Sequence, residues 1–296
     1  MISAATSLSM TDEAFFLSVS PKLYPIKDAS LAIRVYGSGP ALILIHGFPT
    51  HGYTWRKLLP TLSKYFTCYV LDLPGMGESD WDHSTDFSTS AQVERMITLF
   101  KQLELKEYAV LAHDTGATAA RLLALLQPTA VRKLALINTE VPGHRPPWIP
   151  LYQKLAVLPG SAALLPIPFR MKWYVKSGMG FREFYSDKRL LDRREYVGPY
   201  LQPLIKKAKR AQGALNYLRG FDWKIVDEFG SRHKDLEMDI LFLWGADDKT
   251  FPLAEAEKMM PQFKQAQLVP ISKASLLPHE EKPQEIIEHL VPFLIK

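Results

Sequence analysis

The stretch Leu111-Ala112-His113-Asp114-Thr115-Gly116-Ala117 decides how this chain is read. It joins the apolar run Tyr108-Ala109-Val110-Leu111 to Ala119-Ala120-Arg121-Leu122-Leu123-Ala124-Leu125-Leu126, which has the composition of a helix. A strand that turns sharply into a helix lifts one side chain clear of the backbone at the helix N-terminus. Small residues must flank it because the turn is tight. The lifted residue here is Asp114, in a position where serine is commoner. A carboxylate so placed can attack carbon and form an ester. The plainer alternative is a helix N-cap that accepts backbone N–H groups. Strand, turn and helix together favour the nucleophile position.

Working outward, short apolar runs recur at Ala32–Tyr36, Ala41–Ile45, Thr67–Leu71, Tyr108–Leu111, Leu134–Ile137, Ile240–Trp244 and Gln267–Pro270. Amphipathic stretches such as Ser90–Leu103 and Thr118–Gln127 lie between several of them. Continuous apolar strands separated by helices predict a parallel sheet covered on both faces. Ligands on such sheets bind at the carboxyl ends of the strands, which places Asp114 at the functional edge. The alternation breaks over 141–229, where Pro142, Pro146, Pro147, Trp148, Pro150, Pro159, Pro166, Pro168 and Trp173 crowd together and no strand-like run appears. The expected organisation is therefore an α/β core from 1–140 and 230–296, with 141–229 as a helical cap over the strand ends. The apolar segment Ile149–Phe169 is read as pocket lining and cap core in preference to a membrane contact.

Composition excludes several classes. With 296 residues and 47% hydrophobic content the chain can bury a sizeable core, and its formal charge of +5 is only mildly basic. The densest basic cluster, Lys206-Lys207-Ala208-Lys209-Arg210, has no interleaved stacking aromatics, so no nucleic-acid partner is expected. The single Cys68 sits in a strand-like run and suits a reducing, cytoplasmic setting. Met1–Ser20 is polar with acidic residues and lacks a charged-then-apolar signal pattern. No apolar run approaches about 18 residues, so no stable membrane insertion is expected. No cofactor or metal is called for, and a monomer or homodimer is expected.

Four segments resemble the α/β-hydrolase family, in particular its capped, aspartate-nucleophile branch of epoxide hydrolases and dehalogenases. The resemblance runs from about Tyr24 to Ile295 and implies a mostly parallel eight-stranded sheet with helices on both faces and a helical cap. His46-Gly47-Phe48-Pro49, directly after a strand and followed by Asp72-Leu73-Pro74-Gly75-Met76-Gly77-Glu78-Ser79, is family-like. It implies an oxyanion hole built from the N–H of Phe48 and the N–H of Thr115, with His46 facing the substrate. The elbow departs from the family's form only in Ala112, where the family has glycine. Leu243-Trp244-Gly245-Ala246-Asp247-Asp248-Lys249-Thr250-Phe251-Pro252 fits the family's acid loop. It implies Asp248 as the triad acid, with Asp247 one position off the pattern.

The fourth segment departs. The family's histidine precedes a Glu-Glu-x-Pro ending, but Ala274-Ser275-Leu276-Leu277-Pro278-His279-Glu280-Glu281-Lys282-Pro283 places Leu276 where that histidine belongs. His279, three residues on, is the one local substitute, and reaching the site would need a shifted loop. In the cap, Ala214-Leu215-Asn216-Tyr217-Leu218-Arg219 carries Leu218 where relatives polarise an epoxide oxygen with tyrosine, although Tyr217 is adjacent. Thr115 and Thr118 stand where haloacetate dehalogenases carry arginines, and Thr115 where many haloalkane dehalogenases carry tryptophan. After the sixth strand, Asn138–Arg145 borders the pocket. Glu140, His144 and Arg145 are candidates to face the ligand there, the alternative being that they fix the approach to the cap.

These features imply that Asp114 attacks an electrophilic carbon of a small apolar substrate and forms an alkyl-enzyme ester whose hydrolysis is impaired or unconventional. Two alternatives stay open. One is an inactive small-molecule binder or receptor on the same scaffold. The other is a lyase or cyclase using Asp114 for acid–base work.

Overall fold

A computed structural model describes residues 10–296, so the start of the polar Met1–Ser20 segment lies outside the described residues. Nine strands form one sheet: β1 (Lys22–Ile26), β2 (Ala29–Tyr36), β3 (Ala41–Ile45), β4 (Thr67–Asp72), β5 (Asp80–Trp81), β6 (Tyr108–His113), β7 (Val131–Ile137), β8 (Asp239–Gly245) and β9 (Ala266–Ile271). Their order is β1-β2-β4-β3-β6-β7-β8-β9, with β5 paired to β2. From β4 to β9 every pairing is parallel, whereas β1, β2 and β5 join antiparallel. The seven expected strands all form. Two were not anticipated: the two-residue β5, and β1, whose Pro25 interrupts the pattern and is tolerated because β1 is an edge.

The helices of the core are α1 (Asp12–Leu17), α2 (Leu59–Leu62), α3 (Thr89–Gln102) and α4 (Thr115–Leu126), and later α12 (Leu253–Met259), α13 (Pro278–Glu281) and α14 (Pro283–Ile295). Alternate strand residues enter two clusters, as the period of two demands. Ile43, Ile45, Val110 and Ala112 pack with Val93, Met96 and Leu99 of α3 and with α4. Leu42, Leu44, Leu111 and Cys68 pack with Leu59, Leu62 and with Ile286, Leu290 and Leu294 of α14. Both faces are thus covered, which is why the parallel strands read as unbroken apolar runs.

Between β7 and β8 the regular elements are all helical, including α5 (Trp148–Ala156), α6 (Ser161–Leu164), α7 (Pro166–Phe169), α8 (Lys172–Val175), α9 (Arg194–Lys206), α10 (Ala208–Gly220) and α11 (Trp223–Arg232). Prolines cut the first part into single turns, and α11 runs across the expected 229/230 boundary. Among the described residues no helix is long and apolar enough to cross a membrane. The chain goes from β3 outward to β4 and returns to the other side of β3 as β6. The strand order therefore reverses between β3 and β6, and a crevice opens at their carboxyl ends. His46-Gly47-Phe48 leaves β3 there, and Asp114 leaves β6.

Candidate active site

Asp114 is the residue between β6 and α4, and its backbone lies at φ 52°, ψ −131°. This is glycine territory, costing about 1–3 kcal/mol for another residue. The turn is held by its surroundings: the Asp114 N–H donates to the Asn138 carbonyl at 2.8 Å, and Thr139 Oγ1 donates to the Asp114 carbonyl at 3.1 Å. Two glycines make the crossing possible. A Cβ on Gly47 would lie 2.4 Å from Asp114 Cβ, and one on Gly116 would lie 2.3 Å from the His46 carbonyl oxygen. The close approach lets Phe48 N–H donate to Asp114 Oδ2 at 2.8 Å, and the adjoining Thr115 N–H favours the charged form of this carboxyl. Of the two N–H groups expected to form an oxyanion hole, that of Phe48 is thus hydrogen-bonded to the Asp114 carboxyl.

That carboxyl faces a cavity of about 450 Å³ roofed by the inserted helices. Phe48, Ile149, Leu215, Tyr217, Leu218 and Leu276 are among its lining residues, and the Tyr217 ring stacks on Phe48 at 5.9 Å between centroids. The Tyr217 hydroxyl shares a 3.0 Å hydrogen bond with Thr115 Oγ1. The charged lining residues are acidic: Asp114, Glu140 and Glu183. None of the described residues lining it is a lysine, arginine or histidine. Burial first, and then the charge of Glu140, holds the Asp114 carboxyl well above the ordinary carboxylate range. Burial likewise raises Glu140, opposed by hydrogen bonds from Thr118 Oγ1 at 2.7 Å and Thr139 Oγ1 at 3.0 Å and by the charge of Arg121. Two close carboxyls in a dry chamber cannot both ionise cheaply, so the pair tends to keep a proton.

The acid loop follows β8. Asp248 is buried, with Oδ2 accepting from Asn138 Nδ2 at 2.7 Å and Oδ1 accepting from Thr250 N–H at 2.7 Å. Asn138 in turn accepts from Gly245 N–H at 2.8 Å, so one amide ties the ends of β7 and β8 to the acid. Burial pushes Asp248 up to about 7 against those hydrogen bonds. Asp247 is exposed and accepts from Ser186 Oγ, so Asp248 is the inward residue of the two.

Leu276 is buried and lines the cavity, and its carbonyl bonds His113 Nε2 at 2.9 Å. The other sequence candidates for polar roles lie elsewhere. His279 does not line the cavity. Its Nε2 shares a 2.7 Å hydrogen bond with Thr54 Oγ1, its ring lies 4.8 Å from that of Trp55, and burial lowers it to about 3. His46 is a turn residue rather than a substrate contact: Nδ1 bonds the Gly47 carbonyl, Nε2 accepts from Leu73 N–H at 2.9 Å, and burial lowers it to about 4. His144 bonds the Thr250 carbonyl at 2.9 Å, and Arg145 pairs with Asp227 and lies 4.4 Å from the Trp223 ring centroid. His144 thus ties the approach to the insertion to the core and Arg145 ties it to α11, the alternative weighed for them, while Glu140, Tyr217 and Leu218 do face the cavity.

Residues 40–283 match the model of the alpha/beta hydrolase fold family. The chain belongs to that family. Human epoxide hydrolase 4 is 24% identical over 294 residues, spanning 92% of this chain and 77% of that protein. A fluoroacetate dehalogenase from a Burkholderia species is 31% identical over 122 residues, 40% of each chain. Among solved structures, the ligand-free epoxide hydrolase CorEH superposes with a TM-score of 0.78 at 16% identity, over 94% of this chain and 99% of that one. Within this hydrolase frame, two contributors escaped sequence reasoning. Arg121 is fully buried and donates to the Glu140 carbonyl at 2.8 Å and to Thr118 and Thr139 at 3.1 Å each. A lone cation in the apolar run of α4 was the signal that it has a buried partner. Asn138 as the clip between two strands left no signal beyond its place at a strand end.

Proposed function

We propose that this chain is an alkyl-transferring hydrolase-fold enzyme in which the Asp114 carboxylate attacks an electrophilic carbon of a neutral apolar substrate. The observation that carries this is the Asp114 carboxyl, held by Phe48 N–H at a positive-φ strand-to-helix turn, with an apolar cavity above it. One carboxylate oxygen attacks; the carbon–oxygen bond of an epoxide, or a carbon–halogen bond, breaks and its electron pair leaves with the departing atom. The Tyr217 hydroxyl, bonded to Thr115, is the donor beside the nucleophile for a departing alkoxide. With no tryptophan or arginine at Thr115, this favours an epoxide over a halide.

The ester then awaits a water and a base. No described histidine lines the cavity, and Glu140 is the buried carboxyl with a raised proton affinity next to Asp114. Glu140 takes the proton that leaves Asp114 ionised, gives it up to the departing alkoxide, and, ionised again, takes the proton of the attacking water. A carboxyl in that role replaces imidazole poorly, so the ester persists. Intact-mass spectrometry after incubation with a panel of terminal epoxides and alkyl halides tests the proposal. A stable adduct mapping to Asp114 and absent from Asp114→Asn supports it; no adduct across the panel overturns it.

The same pair of raised carboxyls favours one further reading, proton transfer without an ester, as in a lyase or cyclase. It predicts turnover with no adduct and a pH–rate profile that moves on Glu140→Gln. A binder without chemistry would instead retain ligand affinity in Asp114→Ala.

A further inference from the structure

The inserted helices turn one apolar side to the cavity and another to solvent. Trp173 is 69% exposed and Leu164 61%, and Leu155, Leu158, Ile167 and Met171 around them are also exposed. Leu155, Leu158 and Leu164 line the cavity as well, so the mouth of the cavity opens within this patch. A contiguous exposed apolar surface of this kind marks an interaction site. Its charge says with what. From Pro146 to Arg182 the chain contains Lys154, Arg170, Lys172, Lys176 and Arg182 and not one aspartate or glutamate. All five cations are exposed, and Lys154, Arg170 and Lys172 have no ion-pair partner among the described residues. Short helices with tryptophan and leucine on one side, fringed by unpaired cations, have the composition of surfaces that lie in the headgroup region of an anionic bilayer.

We infer that the face built by α5, α6, α7 and α8 docks reversibly on an anionic lipid surface, so that the cavity mouth opens to the bilayer and takes up a membrane-soluble neutral substrate. Docking itself needs no covalent chemistry. Only the source of the substrate rests on the proposed function, so the binding test below can fail independently of the adduct test. A second copy of the chain would meet three unpaired like charges across a shared interface, which disfavours self-association of this face.

The full chain is floated with vesicles of equal parts phosphatidylcholine and phosphatidylglycerol, with pure phosphatidylcholine vesicles beside it. Binding to the mixed vesicles, weakened by salt and weaker still to phosphatidylcholine, is expected. Each cation near such a surface is worth about fivefold in partitioning, so Lys172→Gln with Arg170→Gln should lower binding about 25-fold. Trp173→Ser and Ile167→Ser, exposed positions outside the cavity lining, should lower it further while leaving thermal unfolding unchanged. Quenching of the native protein's tryptophan fluorescence by brominated lipid, lost in Trp173→Ser, places that ring in the bilayer. No flotation of the folded protein, binding that ignores all four substitutions, or a dimer that breaks on Leu164→Ser each overturns the inference.

Discussion

Replacing Leu276 by histidine tests the proposed base position through two separate quantities. Leu276 is 3% exposed, lines the cavity, and has its carbonyl fixed by His113, so its backbone position is already set. Asp248 stands as an acid without a cationic partner, and burial lifts it from 3.8 to about 7. At about 1.36 kcal/mol per unit, that shift makes ionised Asp248 destabilising by roughly 4 kcal/mol. Because the folded value lies above the unfolded one, the contribution is fully present below about pH 4 and is lost as pH rises through about 7. In Leu276→His an imidazolium shares the site. Between about pH 4 and 6.5 the folded pair and the unfolded chain then hold the same single proton, so this slope vanishes there and the loss moves above about 6.5. Urea denaturation of both proteins across that range reads the change. The kinetic readout is ester release, because a general base supplies about 10²–10⁴ in rate. Adducts on Asp114 that decay equally fast in both proteins, with superimposable pH curves, would refute the assignment of Leu276 to the base position.

Asp114→Gly should abolish adducts at little change in stability: strain relief of about 1–3 kcal/mol is offset by added backbone entropy of about 0.5–1 kcal/mol and by the Phe48 N–H left unmet, about 1–3 kcal/mol, and a shift of the denaturant midpoint by more than about 3 kcal/mol either way would refute this. Gly47→Ala puts a methyl 2.4 Å from Asp114 Cβ, and the resulting shift of about 1 Å should slow adduct formation about 10²-fold, followed by stopped-time mass spectrometry. Arg121→Met removes the buried cation over Glu140, and a loss of about 3–5 kcal/mol is expected. That loss should grow at alkaline pH, where Glu140 must ionise unaided, and equal melting curves at acid and alkaline pH would count against it. Haloacetates should give no adduct where neutral epoxides do. A carboxylate about 4 Å from an ionised Asp114 or Glu140 meets about 4 kcal/mol of repulsion at the effective dielectric of a protein site. A competitive adduct from fluoroacetate would contradict this.

The parts that were legible in the sequence are those set by local geometry. Ala41–Ile45 is a strand as read, because a buried parallel strand must be apolar on both faces. The elbow was legible because a positive-φ residue between strand and helix needs Gly47 and Gly116 beside it. β1 was not, since an antiparallel edge strand with one solvated side and a proline lacks the apolar run that identified the others. The polar candidates divide by the same logic. Glu140 and Tyr217 reach the cavity, whereas His46, His144 and His279 are drawn to carbonyls and hydroxyls that only the folded chain assembles. Histidine spacing carries no record of such partners. The apolar segment of α5–α7 reads as lining in preference to a membrane contact, because a helix that faces a cavity on one side and solvent on the other is hydrophobic nearly all round.

Asp248 has a structural role independent of catalysis. Its two oxygens satisfy Asn138 Nδ2 and Thr250 N–H, while Asn138 satisfies Gly245 N–H, so the acid closes a chain of buried hydrogen bonds across β7, β8 and the following loop. Truncating the acid would leave buried donors unmet, at about 1–3 kcal/mol each. The protonated carboxylic acid favoured by burial still accepts from both. Leu276, by contrast, contributes to the cavity wall through its side chain and to His113 through its carbonyl alone, so any side chain of similar volume preserves the fold. The two positions are thus under different physical constraints: Asp248 is bound into the sheet ends, and position 276 is free to vary. Asp114 resembles the acid in this respect. Its backbone is tied to Asn138 and Thr139, and its carboxyl to Phe48, in a conformation glycine would hold at lower cost. A strained aspartate kept where glycine is easier argues for chemistry at that carboxyl, and the leucine at 276 then bears on how long its product stays attached.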